Sequence, residues 1–139
     1  GRTLALIELE LELKAGADQQ LVQWARRVAD RVPLFVNLIS KAEQGYYLAG
    51  LYKPQIPPAN DDPVHRLLSG LSAVWLTGDQ SLLPADALSG VTAEADARSV
   101  GTLLTWLKTG LGRGESLSEL CGELAMGQLQ TRLVGPRAV

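Results

Sequence analysis

The sequence predicts an α+β chain, with a strand and a helix at its N-terminal end and a mainly helical C-terminal region. Three observations predict it. Residues 7–14 alternate apolar and charged side chains without a break, residues 53–63 are dense in proline, and the apolar residues beyond them recur at helical spacing. With 139 residues, 46% of them hydrophobic and only 5% aromatic, the chain has material for one ordinary core, built from aliphatic side chains.

The first element covers residues 4–14, Leu-Ala-Leu-Ile-Glu-Leu-Glu-Leu-Glu-Leu-Lys. Leucine and glutamate both favour helices. An unbroken alternation nevertheless makes no single helical stripe, whereas on a strand it puts Ile7, Leu9, Leu11 and Leu13 on one face and Glu8, Glu10 and Glu12 on the other. A strand is therefore expected. Ala15-Gly16-Ala17 makes a turn, and Asp18 caps a helix over 19–31 whose buried side is Leu21, Val22, Trp24, Ala25 and Val28. Arg26, Arg27 and Arg31 fall near its C-terminus, where the helix dipole favours cations.

Pro33 stops that helix, and Leu34-Phe35-Val36 reads as a short extended or buried link. Residues 40–48 fit either a short helix capped by Ser40 or a strand bent at Gly45. Pro54, Pro57, Pro58 and Pro63 then mark a connection without a core of its own. This divides the chain into residues 1–52, a linker at 53–63, and a helical region at 64–139. Within that region helices are expected over 64–76, 94–107 and 116–133, the last opened by the capping-box spacing of Ser116 and Glu119.

Composition narrows the function. Thirteen Lys and Arg against fifteen Asp and Glu give a net charge of −2, which removes the usual electrostatic basis for binding nucleic acid or an anionic membrane. No run approaches the roughly 20 apolar residues of a membrane span, and no signal peptide is evident, so a cytoplasmic protein is expected. The chain starts at Gly1, which points to a tag remnant, a processed product or a piece of a longer protein. With one cysteine, Cys121, and one histidine, His65, a Cys/His zinc cluster or internal disulfide is excluded, and neither a Cys-His dyad nor a Ser-His-Asp triad is expected. Any metal must then be held by carboxylates.

Glu8, Glu10 and Glu12 form the first candidate site. On a strand they project at steps of about 7 Å, and such a row needs water, cations or basic partners, since each carboxylate raises the cost of ionising its neighbours. Mg²⁺ or Mn²⁺ suits it, because hard divalent ions prefer carboxylate oxygen and bridge to phosphate. The same row also reads as the solvated face of an amphipathic strand. Lys41 beside Ser40 is the second candidate, able to grip a phosphate or simply to begin a helix in water. His65 reads as a surface or capping residue and Cys121 as a small core residue. Trp24, Trp75 and Trp106 read as packing. Gly110-Leu111-Gly112-Arg113-Gly114 lacks the preceding strand and the Gly-Lys-Ser/Thr ending of a phosphate loop.

Taken in tandem, Ile7-Glu8-Leu9-Glu10-Leu11-Glu12-Leu13-Lys14-Ala15-Gly16, a helix, and Ser40-Lys41-Ala42-Glu43-Gln44-Gly45-Tyr46 resemble the end of a CYTH domain, the triphosphate tunnel metalloenzyme family. The order and spacing are closest to its bacterial inorganic triphosphatases, over about residues 1–50. The resemblance implies an antiparallel β-tunnel whose acidic residues hold Mg²⁺ or Mn²⁺, whose basic residues hold a triphosphate, and in which metal-activated water hydrolyses it. It makes Glu8 and Glu10 the late acidic pair that binds metal or orients the water, with Glu12 a further metal carboxylate, and makes Lys41 the late phosphate contact with Ser40 its neighbour. Glu10-Leu11-Glu12-Leu13-Lys14 also spells the E-x-E-x-K signature that opens such domains, but the Ala-Gly turn, helix, proline and Ser-Lys-Ala-Glu-Gln-Gly-Tyr segment after it fit the domain's end. Most of the tunnel then lies outside this chain. Gln44 departs from the arginine more common at its position. A helical CHAD domain often comes after the tunnel in related proteins, and residues 64–139 occupy that place without its wealth of basic residues and histidines.

The resulting expectation is one part of a metal-dependent triphosphatase acting on inorganic or related organic triphosphate, inactive as an isolated chain. The alternative is a non-catalytic interaction or oligomerisation module that uses strand pairing and helical packing. In either case self-association, or pairing with the missing part of the domain, is expected, since an unpaired apolar edge invites it.

Overall fold

The computed structural model describes residues 18–134, with side chains from residue 20 onward. The elements in chain order are α1 (Asp18–Ala29), α2 (Lys41–Leu48), α3 (Pro63–Thr77), a 3₁₀ turn (Gln80–Leu82), α4 (Ala85–Gly90), α5 (Thr92–Ala97), α6 (Gly101–Gly112), α7 (Leu117–Leu120) and α8 (Leu124–Val134). Among the described residues there is no strand and no sheet. The expected α+β fold with an antiparallel β-tunnel is therefore corrected to an all-helical architecture over these residues. The alternating segment at 4–14 lies outside them.

Local chemistry explains the correction at the two described places where extended pairing was open. Residues 40–48 form a helix because Ser40 and Glu43 satisfy each other's backbone N–H groups in a complete capping box. Residues 33–39 have no regular structure and pair with side chains instead of a strand. The Val36 N–H donates to Gln130 Oε1 at 2.8 Å, Gln130 Nε2 donates back to the Val36 carbonyl at 3.0 Å, and the Leu38 N–H donates to Ser72 Oγ at 3.0 Å. Gln130 and Ser72 are wholly buried, so these bonds satisfy polar groups inside the core.

The core is aliphatic and centres on α3, α6 and α8. Leu67 and Leu71 from α3, Leu107 from α6, and Met126 and Leu129 from α8 are fully inaccessible. α3 is well delimited by its sequence. Asp62 accepts from the Val64 N–H at its start, Pro63 occupies the first turn where its missing N–H costs nothing, and Gly78 closes the end at φ 75°.

Two helices expected to be continuous are broken. Ser99 takes a left-handed φ of 59°, and the Val100 N–H closes back on the Ala95 carbonyl at 2.8 Å, which separates α5 from α6. Turns at Cys121–Glu123 separate α7 from α8.

α1 lies along α8. Arg132 and Gln128 on α8 both reach the Asp30 carboxylate, at 3.1 and 3.3 Å. The chain leaving α1 then crosses α8 at Gly127, where a Cβ would sit 2.8 Å from Leu34 Cδ1 and 3.0 Å from the Leu34 carbonyl oxygen. Phe35 stacks on Trp75 at 6.0 Å between centroids. Trp75 and Trp106 pack against the core as expected, but Trp24 does not. It is 59% exposed on the outer side of α1.

Candidate functional site

Ser40 and Lys41, the described members of the expected phosphate site, stand at the start of α2. The Glu43 N–H donates to Ser40 Oγ at 3.1 Å, and the Ser40 hydroxyl and N–H both donate to Glu43 Oε1, at 3.0 and 3.3 Å. Tyr52 also donates to Glu43, and this bond, followed by those from Ser40, holds the Glu43 carboxyl below its ordinary value. Burial, then the bond to Glu43, pushes the Tyr52 phenol up. The positive end of α2 thus already faces a carboxylate from its own first turn. An anion arriving there must share or displace it. Ser40 acts as a cap that fixes the helix start, while Lys41 beside it is exposed.

Gln44, where arginine is more common in the family that the motif resembles, is buried and donates to the Ile39 carbonyl at 3.0 Å. Here the position ties α2 to the preceding chain instead of reaching for a ligand. The capping-box spacing of Ser40 and Glu43 is a sequence signal for this arrangement, whereas nothing in the sequence pairs Glu43 with Tyr52. Glu8, Glu10 and Glu12 lie outside the described residues. Among the described residues no three His, Cys, Asp or Glu side chains gather into a metal-ligating group.

The start of α3 holds an arrangement that the sequence alone discounts. Asp61, just before α3, and His65 and Ser69, four residues apart on the helix, fall in a line, with His65 Nδ1 at 2.7 Å from Asp61 Oδ2 and its Nε2 at 3.2 Å from Ser69 Oγ. A neutral imidazole satisfies both, its Nδ1–H donating to Asp61 and its Nε2 accepting from the serine hydroxyl. The His65 bond, then the Asp62 N–H, holds the Asp61 carboxyl below its ordinary value. The order Asp-His-Ser matches a catalytic triad, but the surroundings do not complete one. Ser69 lies in the interior of α3, where backbone N–H groups are committed to helical bonds and leave no oxyanion donors beside it. The line instead ties the proline-rich connection to α3.

The remaining candidates resolve as packing. Burial pushes the Cys121 thiol up to about 11, which keeps it protonated and unreactive near neutral pH. Gly110 and Gly112 belong to the last turns of α6, not to a loop. A Cβ on Gly110 would meet Leu120 Cδ2 at 2.7 Å, so that glycine serves the contact between α6 and α7. No described helix is long and apolar enough to cross a membrane. No protein-family model, curated protein or solved structure matches this chain.

Proposed function

We propose that this chain is one part of a cytoplasmic, metal-dependent triphosphatase that hydrolyses inorganic or a related organic triphosphate, and that it is inactive alone. The observation that carries the reading is the tandem of the Glu8-Leu9-Glu10-Leu11-Glu12 alternation and the Ser40-to-Tyr46 motif on either side of α1. In support, α1 between the two motifs packs along α8, and the second motif opens a helix through its own Ser40–Glu43 capping box. Glu8, Glu10 and Glu12 would hold Mg²⁺ or Mn²⁺, which supplies activated water and charge neutralisation when bound. Glu8 and Glu10 would orient that water, Lys41 would contact a phosphate, and Ser40 would keep the lysine at the first turn. Such chemistry needs several cations converging on the substrate, more than this part supplies.

The test is metal-dependent release of phosphate from tripolyphosphate. A longer protein containing this chain is expected to be active, and Glu8→Ala or Glu10→Ala within it to abolish turnover. Full activity in both variants overturns the reading, as does ordinary enzymatic turnover by the isolated chain.

A second reading, a non-catalytic association module, is favoured by Tyr46 and Leu51 at the end of α2. They are 55% and 78% exposed, and their backbones are joined at 2.8 Å. Sedimentation of a clean monomer at high concentration counts against it.

A further inference from the structure

The outer side of α1 carries a groove of about 480 Å³ lined by Trp24, Arg27, Val28, Asp30, Arg31 and Val32. Its apolar floor is a stripe, Trp24, Val28 and Val32, spaced four residues apart. α1 also packs along α8, with the buried Ala29 on its inner side. Trp24 and Val32 are 59% and 51% exposed, large apolar surfaces to leave in water. Arg27 lies over the Trp24 ring at 5.1 Å, so the groove is both aromatic and cationic.

We propose that this groove is the docking site of the chain's own residues 7–14, laid antiparallel to α1 as a strand with Ile7, Leu9 and Leu11 on the stripe. The spacing supports this occupant. Four residues of helix advance about 6 Å and two residues of strand about 6.7 Å, so every second strand residue stays level with every fourth helix residue. The turn that the sequence predicts at Ala15-Gly16-Ala17 would fix the register. Counted back from Lys14 and forward from Asp18, Leu11 falls level with Trp24, Leu9 with Val28 and Ile7 with Val32.

Charge supports it as well, since an acidic segment carrying Glu8, Glu10 and Glu12 would lie over a groove whose lining holds two arginines, Arg27 and Arg31, against one carboxylate, Asp30. Two copies packed through the same groove would instead set these arginines against each other. Docking covers the leucine face and leaves the three carboxylates on the outer face, open to water or a cation. The proposal holds whether or not those carboxylates bind metal.

Cross-linking tests it in the full chain carrying Cys121→Ser. With Leu9→Cys and Val28→Cys, a short bismaleimide at high dilution is expected to link the two cysteines within one molecule, read by mass spectrometry. Moving the first cysteine to the opposite face, as Glu10→Cys, is expected to lower the yield about ten-fold. Equal yields from the two pairs, links only between molecules, or no link overturn the proposal. The second outcome assigns the groove to another copy. Hydroxyl-radical footprinting provides a readout without engineered cysteines. Oxidation of Trp24 is expected to rise about two-fold or more when Leu9→Asp and Leu11→Asp are introduced together, and an unchanged rate overturns the docking.

Discussion

The helical body of α3, α6 and α8 and the N-terminal pair of α1 and α2 are held in different ways. α3 buries eight of its fifteen residues, whereas in α2 the buried residue is a glutamine. The body is fixed by aliphatic burial that no single polar bond controls. The N-terminal pair depends on specific polar ties: Gln130 to Val36, Ser72 to Leu38, Arg132 to Asp30, and the capping box of Ser40 and Glu43.

Substitutions break the comparison in graded steps. Leu71→Ala, in the middle of α3 and fully buried, is expected to cost about 2–5 kcal/mol in denaturant unfolding, through lost burial and the cavity left behind. Gly127→Ala is expected to cost about 1–3 kcal/mol through the clash with Leu34, outweighing the helix propensity gained. The same change would stabilise an open helix surface, so its sign reports whether the chain really crosses α8 there.

Gln130→Ala leaves the Val36 N–H and carbonyl without partners and is expected to cost about 1–3 kcal/mol. Its effect should appear as faster amide exchange in residues 34–48, with the α3 amides little changed. Ser40→Ala removes one cap and is expected to cost about 0.5–1 kcal/mol, confined to the first turn of α2.

The smallest effect is pH-dependent. Glu43 is held below its ordinary 4.5, so the stability it lends to α2 is fully present above that value and lost as pH falls through the lowered one. Carbon-detected NMR titration of the Glu43 carboxyl should show its midpoint below 4.5, returning toward it in Ser40→Ala.

The helices are legible where local signals are strong. Asp62-Pro63 before an apolar run and Gly78 after it delimit α3 in the sequence itself. The break at Ser99 is not legible, because a serine at positive φ carries no glycine signal, whereas Gly122 in the Cys121–Glu123 turn is a visible weak point in a helical run. Trp24 reads as core because its spacing on α1 is helical, yet spacing alone does not say which of two apolar sides meets α8. Leu21, Val22, Ala25 and Val28 with Trp24 make a band too wide for one partner. At the candidate site, the Ser40 cap can be read from S-x-x-E spacing, while the inward turn of Gln44 depends on a backbone carbonyl that no sequence pattern displays.

Native-state hydrogen exchange tests the two-region account most directly, with amides followed individually in α2, α3, α6 and α8. The account predicts that residues 41–48 open at a lower free energy than α3, α6 and α8, and that Gln130→Ala lowers protection across residues 34–48 without moving the α3 core. Equal opening energies throughout, with Gln130→Ala lowering them all together, would show one cooperative unit and contradict it.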